Sequence, residues 1–204
     1  MSALSLPKPK PDVVGEARDL DTGETLYLEQ YYCSENDKQC SVFYVRPDAK
    51  VIARKQLDYQ PSPKAPNLTF EDFRLDRQIT IEKPDPEAVV DAGFDNFVRL
   101  QWEDLTDGEQ VRFPFRMVGR DEPISMRASR SDECEQDKLC LQIRLDSWLL
   151  GSFLDPIRLV YDKDSQRLLR FRGISNLRTA EGRTQKVDIT YRYPDQTDTP
   201  TGNP

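Results

Sequence analysis

Tyr27-Leu28-Glu29-Gln30-Tyr31-Tyr32-Cys33-Ser34-Glu35-Asn36-Asp37-Lys38-Gln39-Cys40-Ser41-Val42-Phe43-Tyr44-Val45 is the stretch that decides the fold. Two runs rich in aromatic and β-branched residues flank a polar insert, which is the pattern of a hairpin. Setting Cys33 opposite Cys40 fixes the register: Tyr31 faces Val42, Glu29 faces Tyr44 and Tyr27 faces Arg46. The other face then pairs Leu28 with Val45 and Gln30 with Phe43, with Leu26 close by. That second face is the more apolar one, so this reading puts the cysteines on the outward side.

A second loop repeats the chemistry. Cys134 and Cys140 bracket Glu-Gln-Asp-Lys-Leu. With these cysteines opposed, Asp132 meets Gln142 and Arg130 meets Arg144, while Leu141, Ile143 and Leu145 point the other way. Opposed residues in a non-hydrogen-bonded antiparallel pair lie about 4.5 Å apart at Cα, within disulfide range. Closing loops this short stabilises by roughly 2–2.5 kcal/mol in the chain-entropy model. Two alternatives remain open. A four-thiolate zinc site has the right number of sulfurs, but its usual spacing within a knuckle is shorter. Free or redox-active thiols are the other, although no Cys-x-x-Cys is present. Local disulfides suit both hairpins and imply an oxidising compartment, periplasmic or otherwise extracytoplasmic.

The chain of 204 residues has no histidine, which removes the commonest general base and metal ligand. Its net charge of −7 argues against a general nucleic-acid binder. No apolar run approaches a membrane span, and the first residues lack the charged start and apolar stretch of a signal peptide. The expected organisation is an extended leader over 1–12, a single β-rich domain over 13–193 and a disordered tail over 194–204. An export signal is then expected to have been removed.

Within the domain, residues 13–58 read as a meander with turns at Asp21-Thr22-Gly23 and Pro47-Asp48-Ala49-Lys50, and 68–82 add one or two strands. Asp85-Pro86-Glu87 is a helix start, although Gly93 allows the helix to begin only after Asp91. Val90, Phe94, Phe97, Val98, Trp102 and Leu105 share one face of it, with Asp91, Asp95, Arg99 and Glu103 turned away. A period of two returns from Glu109. Residues 146–154 read as a short apolar helix, and hairpin strands follow to residue 193. The expected fold is mainly β (α+β): a curved antiparallel sheet, an open half-barrel, wrapped around one central helix with a short second helix.

Asp91-Ala92-Gly93-Phe94-Asp95-Asn96-Phe97-Val98-Arg99 with Trp102, and Gly108-Glu109-Gln110-Val111-Arg112-Phe113, resemble segments of uncharacterised bacterial exported (periplasmic) proteins. Leu159-Val160-Tyr161-Asp162, Leu168 to Leu177, and Val187-Asp188-Ile189-Thr190-Tyr191 fit the same style, so the resemblance covers 13–193. By fold analogy it points to the half-barrels of bacterial lipoprotein carriers, which hold acyl chains between a curved sheet and helices. It carries over no site residue.

Phosphate loops, nucleophile elbows and zinc-protease motifs are missing, and a serine or cysteine triad lacks its histidine. Glu71/Asp72, Asp91/Asp95 and Glu103/Asp104 are acid pairs that a hydrolase or calcium site could use, but on an acidic chain they read first as solvated surface. Arg112, Arg116, Arg130, Arg144, Arg158, Arg170 and Arg172 recur on the polar side of strands. They suit an acidic partner, or else pair with Asp132, Asp146 and Asp188 across strands. Residues 1–106 carry 13 basic and 20 acidic side chains, whereas 107–193 carry 16 basic and 14 acidic, so the cations concentrate in the second half.

The leading expectation is a non-enzymatic protein that binds a hydrophobic or lipid-like ligand between sheet and helix, through Phe94, Phe97, Trp102, Trp148, Leu150 and Phe153, with no cofactor and no metal. The first alternative is an envelope module that binds a protein partner through its arginine-bearing face, with Arg130 and Arg144 as contacts. The second is a carboxylate-based hydrolase. No nucleic acid and no transmembrane segment enter any of these readings.

Overall fold

A computed structural model describes residues 10–147 and 155–194. Thirteen strands form one open sheet. They are β1 (Val13–Asp19), β2 (Thr25–Cys33), β3 (Gln39–Val45), β4 (Val51–Asp58), β5 (Asn67–Asp72), β6 (Arg77–Ile81), β7 (Val89–Val90), β8 (Val111–Arg116), β9 (Ile124–Arg130), β10 (Lys138–Leu145), β11 (Ile157–Asp162), β12 (Leu168–Arg178) and β13 (Thr184–Arg192). The order is β6-β5-β4-β3-β2-β1-β13-β12-β11-β10-β9-β8-β7. Two antiparallel meanders are therefore joined where the first and last strands pair, Ala17 against Ile189. Only β7 runs parallel to its neighbour.

The segment between β6 and β8 has to travel from one edge of the sheet to the other. Val90 pairs with Arg116 of β8, yet its amide also donates to the Lys64 carbonyl just before β5 at 2.9 Å. A Cβ on Gly119, in the β8–β9 turn, would lie 2.3 Å from the Arg77 guanidinium of β6. These contacts bring the two edges together without a ladder between them.

The helical part differs from expectation. Asp85-Pro86-Glu87 forms a turn, and Val89 and Val90, both fully buried, join the sheet instead of opening a helix. One 3₁₀ turn, Asp91–Gly93, leads into α1 (Phe94–Leu100) and α2 (Trp102–Asp107), which are separated by Gln101 at φ −107°, ψ 21°. Gly93 is obligatory here, because a Cβ would sit 2.2 Å from the Lys64 carbonyl oxygen. The two helices thus arise from one broken segment. The short helix expected at 146–154 falls largely on residues 148–154, outside the described residues.

Both cysteine pairs form disulfides, Cys33–Cys40 and Cys134–Cys140, with Cα separations of 4.1 and 5.6 Å. The first hairpin has the expected register, Cys33 against Cys40, Tyr31 against Val42 and Glu29 against Tyr44, but the opposite facing. Tyr27, Val42, Tyr44 and Cys40 belong to the main core, whereas Tyr32, Phe43 and Val45 form a small outer cluster with Val51. Tyrosine decides this. Its ring fills the interior while its hydroxyl finds buried partners, which makes the face with Tyr27, Tyr31 and Tyr44 the inner one.

In the second hairpin the register is displaced. Leu141 faces Arg130 and Arg144 faces Arg127, which puts Arg130 on the same side of the sheet as Leu141. The core falls into two parts. One lies within β1–β6, β12 and β13 and takes in Val90 of β7; the other joins α1, α2 and Val89 of β7 to β8–β11.

Candidate functional site

The register aligns arginines on the outer side of the second meander. Arg112 faces Arg127, Arg127 faces Arg144, and Gln142 (two residues from Arg144) faces Arg158. Arg158 faces Arg172, Arg172 faces Asp188, and Asp188 faces Arg18 of β1. The intervening residues Phe113, Met126, Ile143, Leu159 and Ile189 are buried, which fixes this face as the outer one. Six arginines and one aspartate thus form a row across seven neighbouring strands. The carboxylates are shared. Asp146 serves Arg112 at 3.0 Å and Arg127 at 4.0 Å, and Asp188 serves Arg170 and Arg172. Glu16 holds Arg18 at 2.9 Å, so Asp146, Asp188 and Glu16 offset only part of the like charge opposed across these strands, and the face keeps a positive excess.

Of the two arginines assigned to partner binding, Arg144 is in the row and bonds the Gln142 side chain at 3.2 Å. Arg130 is not. From the inner side of β9 it donates to the Thr106 carbonyl at the end of α2. Of the expected cross-strand acids, Asp146 and Asp188 neutralise part of the row. Arg116 lies beside buried Val90 at the edge of the sheet, and its Nε is buried.

A second constellation is buried inside the first meander. Glu29 is 7% exposed and accepts from the Tyr31 and Tyr191 hydroxyls at 3.0 and 3.1 Å. Gly15 stands between Glu29 and Tyr191 in the ladder, and a Cβ there would meet the Tyr191 ring at 2.7 Å, so glycine lets the tyrosine reach across. Lys55 of β4 makes an ion pair with Asp91, whose other oxygen accepts from the Asn176 amide at 2.7 Å. Asp91 has φ +39°, a conformation that aspartate tolerates better than most residues. Nearby, the Tyr27 and Ser175 hydroxyls share a hydrogen bond at 2.7 Å.

Of Asp91, Asp95 and Arg99, expected to be turned away from the core, Asp91 points inward, while Asp95 and Arg99 are half-buried. Asp95 pairs with Arg99 at 2.6 Å, and Glu103 is the fully exposed member of that set. The other acid pairs are also engaged or exposed: Glu71 with Arg54, buried Asp72 with Arg74, and Glu103/Asp104 in water. The sequence signal that identifies the buried cluster is a charged residue on the Tyr27 and Tyr31 side of β2, at Glu29; β4 carries no tyrosine to mark Lys55 in the same way.

Burial pushes the Glu29 carboxyl above its ordinary value, partly offset by Lys55 and by the two tyrosine hydroxyls. The folded state then holds this proton more tightly than the unfolded chain. Stability contributed here is greatest at low pH and falls as pH rises from the ordinary carboxylate value through the raised one. Glu29→Gln is expected to flatten that decline. Urea unfolding of both proteins across this range checks it, and parallel pH curves would refute it.

The residues expected to hold an apolar ligand are placed as follows. Phe94 and Phe97 stack on Phe113 with centroids at 5.5 and 4.5 Å, Phe94 also meets Phe115, and Trp102 packs edge-on against Tyr161. Trp148, Leu150 and Phe153 lie outside the described residues. A cleft of about 620 Å³ opens instead at one end of the first meander, among Leu26, Tyr27, Ile52, Arg46, Arg74 and Lys186. Another, of about 290 Å³, lies beside Trp102 and Gln166. Neither is lined by Phe94 or Phe97. Among the described residues no helix is long and apolar enough to cross a membrane.

Comparison with protein-family models, curated proteins and solved structures finds no match to this chain.

Proposed function

We propose that this is a non-enzymatic, extracytoplasmic binding module that uses the arginine row on its outer sheet face to hold an anionic partner. The observation that carries the reading is the register, which sets Arg112, Arg127 and Arg144 abreast and continues through Arg158 and Arg172. A chain with a net charge of −7 has little use for such a concentration of cations unless an anion meets it. Guanidinium groups suit carboxylate, sulfate or phosphate because their donors form a rigid fork. The two disulfides fit a protein that works in an oxidising compartment.

A lipid-like ligand between sheet and helix has less support, because Phe94 and Phe97 pack on one another and on Phe113. A hydrolase has less again, since Asp91 and Asp95 are already held by Lys55 and Arg99.

Retention on an immobilised polyanion, eluted with a salt gradient, tests the proposal. The wild type is expected to bind at low salt and elute as screening grows. Arg127→Glu combined with Arg158→Glu is expected to abolish retention, whereas Arg46→Glu, away from the row, leaves it unchanged. Equal retention of all three proteins would overturn the reading.

A further inference from the structure

Resting on that reading, we infer that the partner is a linear acidic polysaccharide, laid along the arginine row and crossing the strands. The row is one-dimensional. It steps from strand to strand through Arg112, Arg127 and Arg144, shifts by two residues along β10 to Gln142, and continues through Arg158 and Arg172, then past Asp188 to Arg18. Neighbouring strands lie about 4.8 Å apart, so the row is roughly 30 Å long. It presents a guanidinium at nearly every step. A chain whose sugars each carry a carboxylate or sulfate offers anions in the same kind of repeating series, and each can be held by a forked pair of hydrogen bonds.

Other polyanions fit less well. Protein interfaces gather their energy at aromatic and apolar anchors buried at the centre of the patch. Among the described residues the large hydrophobics that are exposed are Phe73, Leu100 and Ile174, and only Ile174 is on this face. Single-stranded nucleic acid would call for exposed aromatic platforms between the cations. Among the described residues, none of the exposed large hydrophobics on this face is aromatic. A sugar chain asks for neither. Its hydroxyls bond to the polar side chains between the arginines, Ser129 and Gln142, which face each other across β9 and β10.

The experiment is a titration of the full chain, by calorimetry at low salt, with galacturonate oligomers of increasing length. Heparin oligosaccharides and poly-glutamate are run at matched anionic monomer concentration. Affinity for the acidic sugars is expected to rise with length up to an oligomer that spans the row, then level off. Poly-glutamate is expected to bind at least tenfold more weakly. Arg127→Gln and Arg158→Gln should each weaken the longer oligomers about tenfold, the loss of one charge-assisted contact, while Arg46→Gln has no effect.

The melting temperatures of Arg127→Gln and Arg158→Gln are expected to stay level or rise, because Arg127 opposes Arg112 and Arg144, and Arg158 opposes Arg172. Poly-glutamate binding as tightly as the sugars would overturn the polysaccharide and leave the anionic-partner reading standing. Absence of binding to every polyanion would remove both.

Discussion

Replacing Lys55 with methionine is expected to destabilise the protein by about 3–5 kcal/mol, the usual cost of stripping one partner from a buried ion pair. Lys55 is 4% exposed and is the cation that faces both Asp91 and Glu29. Without it, among the described residues, Asp91 keeps the Asn176 amide at 2.7 Å, and the Asp91 and Glu29 carboxyls lose the cation between them. The location magnifies the effect. Asp91 opens the helical segment that crosses between the edges of the sheet, Lys55 is on β4 and Asn176 on β12, so one cluster fixes three elements.

Adding Asp91→Asn to Lys55→Met removes the unpaired charge. It keeps a residue that accepts the left-handed backbone, and it is expected to restore more than half of the lost stability. Urea unfolding of the single and double variants measures both steps. A single variant within about 1 kcal/mol of wild type would show that water reaches the pair and that the cluster is not the latch described.

The sequence revealed most of the strands because their alternation is local, and both disulfides because each closes a short hairpin. Facing was harder to read. Tyr27, Tyr31 and Tyr44 look amphipathic along the chain, and only the partners brought in by β12, β13 and the crossing segment make their side the inner one. For the same reason Asp91, Asp95 and Arg99 looked solvated. Each has an ion pair or hydrogen bond, in two of the three cases to residues far away in sequence. The arginine row was half visible. The arginines stand out on alternate positions, but their alignment depends on inter-strand registers, and a displaced register in the second cysteine hairpin exchanged Arg130 for Arg127 opposite Arg144. The helix start at Asp85 failed because buried β-branched residues, Val89 and Val90, gained more from pairing with β8 than a helical turn would return.

Phe97→Ala is expected to cost about 3–5 kcal/mol, the range for removing a buried aromatic ring without full collapse of the space it leaves. Phe97 is 5% exposed and its ring lies 4.5 Å from Phe113 and 5.8 Å from Phe94. The variant decides between two roles for these rings. A side chain that lines a ligand cavity already faces open space, so shortening it enlarges the cavity and costs little stability, while bound lipid is lost. A side chain that is itself the filling leaves a void whose walls lose contacts on one side. The packing of Phe94, Phe97, Phe113 and Phe115 predicts the second outcome: a large loss of stability in urea unfolding, and no lipid difference between wild type and variant by native mass spectrometry. Phe97→Leu, which keeps most of the volume, is expected to lose less than half as much. A cost below about 1 kcal/mol for Phe97→Ala, together with lipid released from the wild type alone, would return the ligand to the space between helix and sheet and take it away from the arginines.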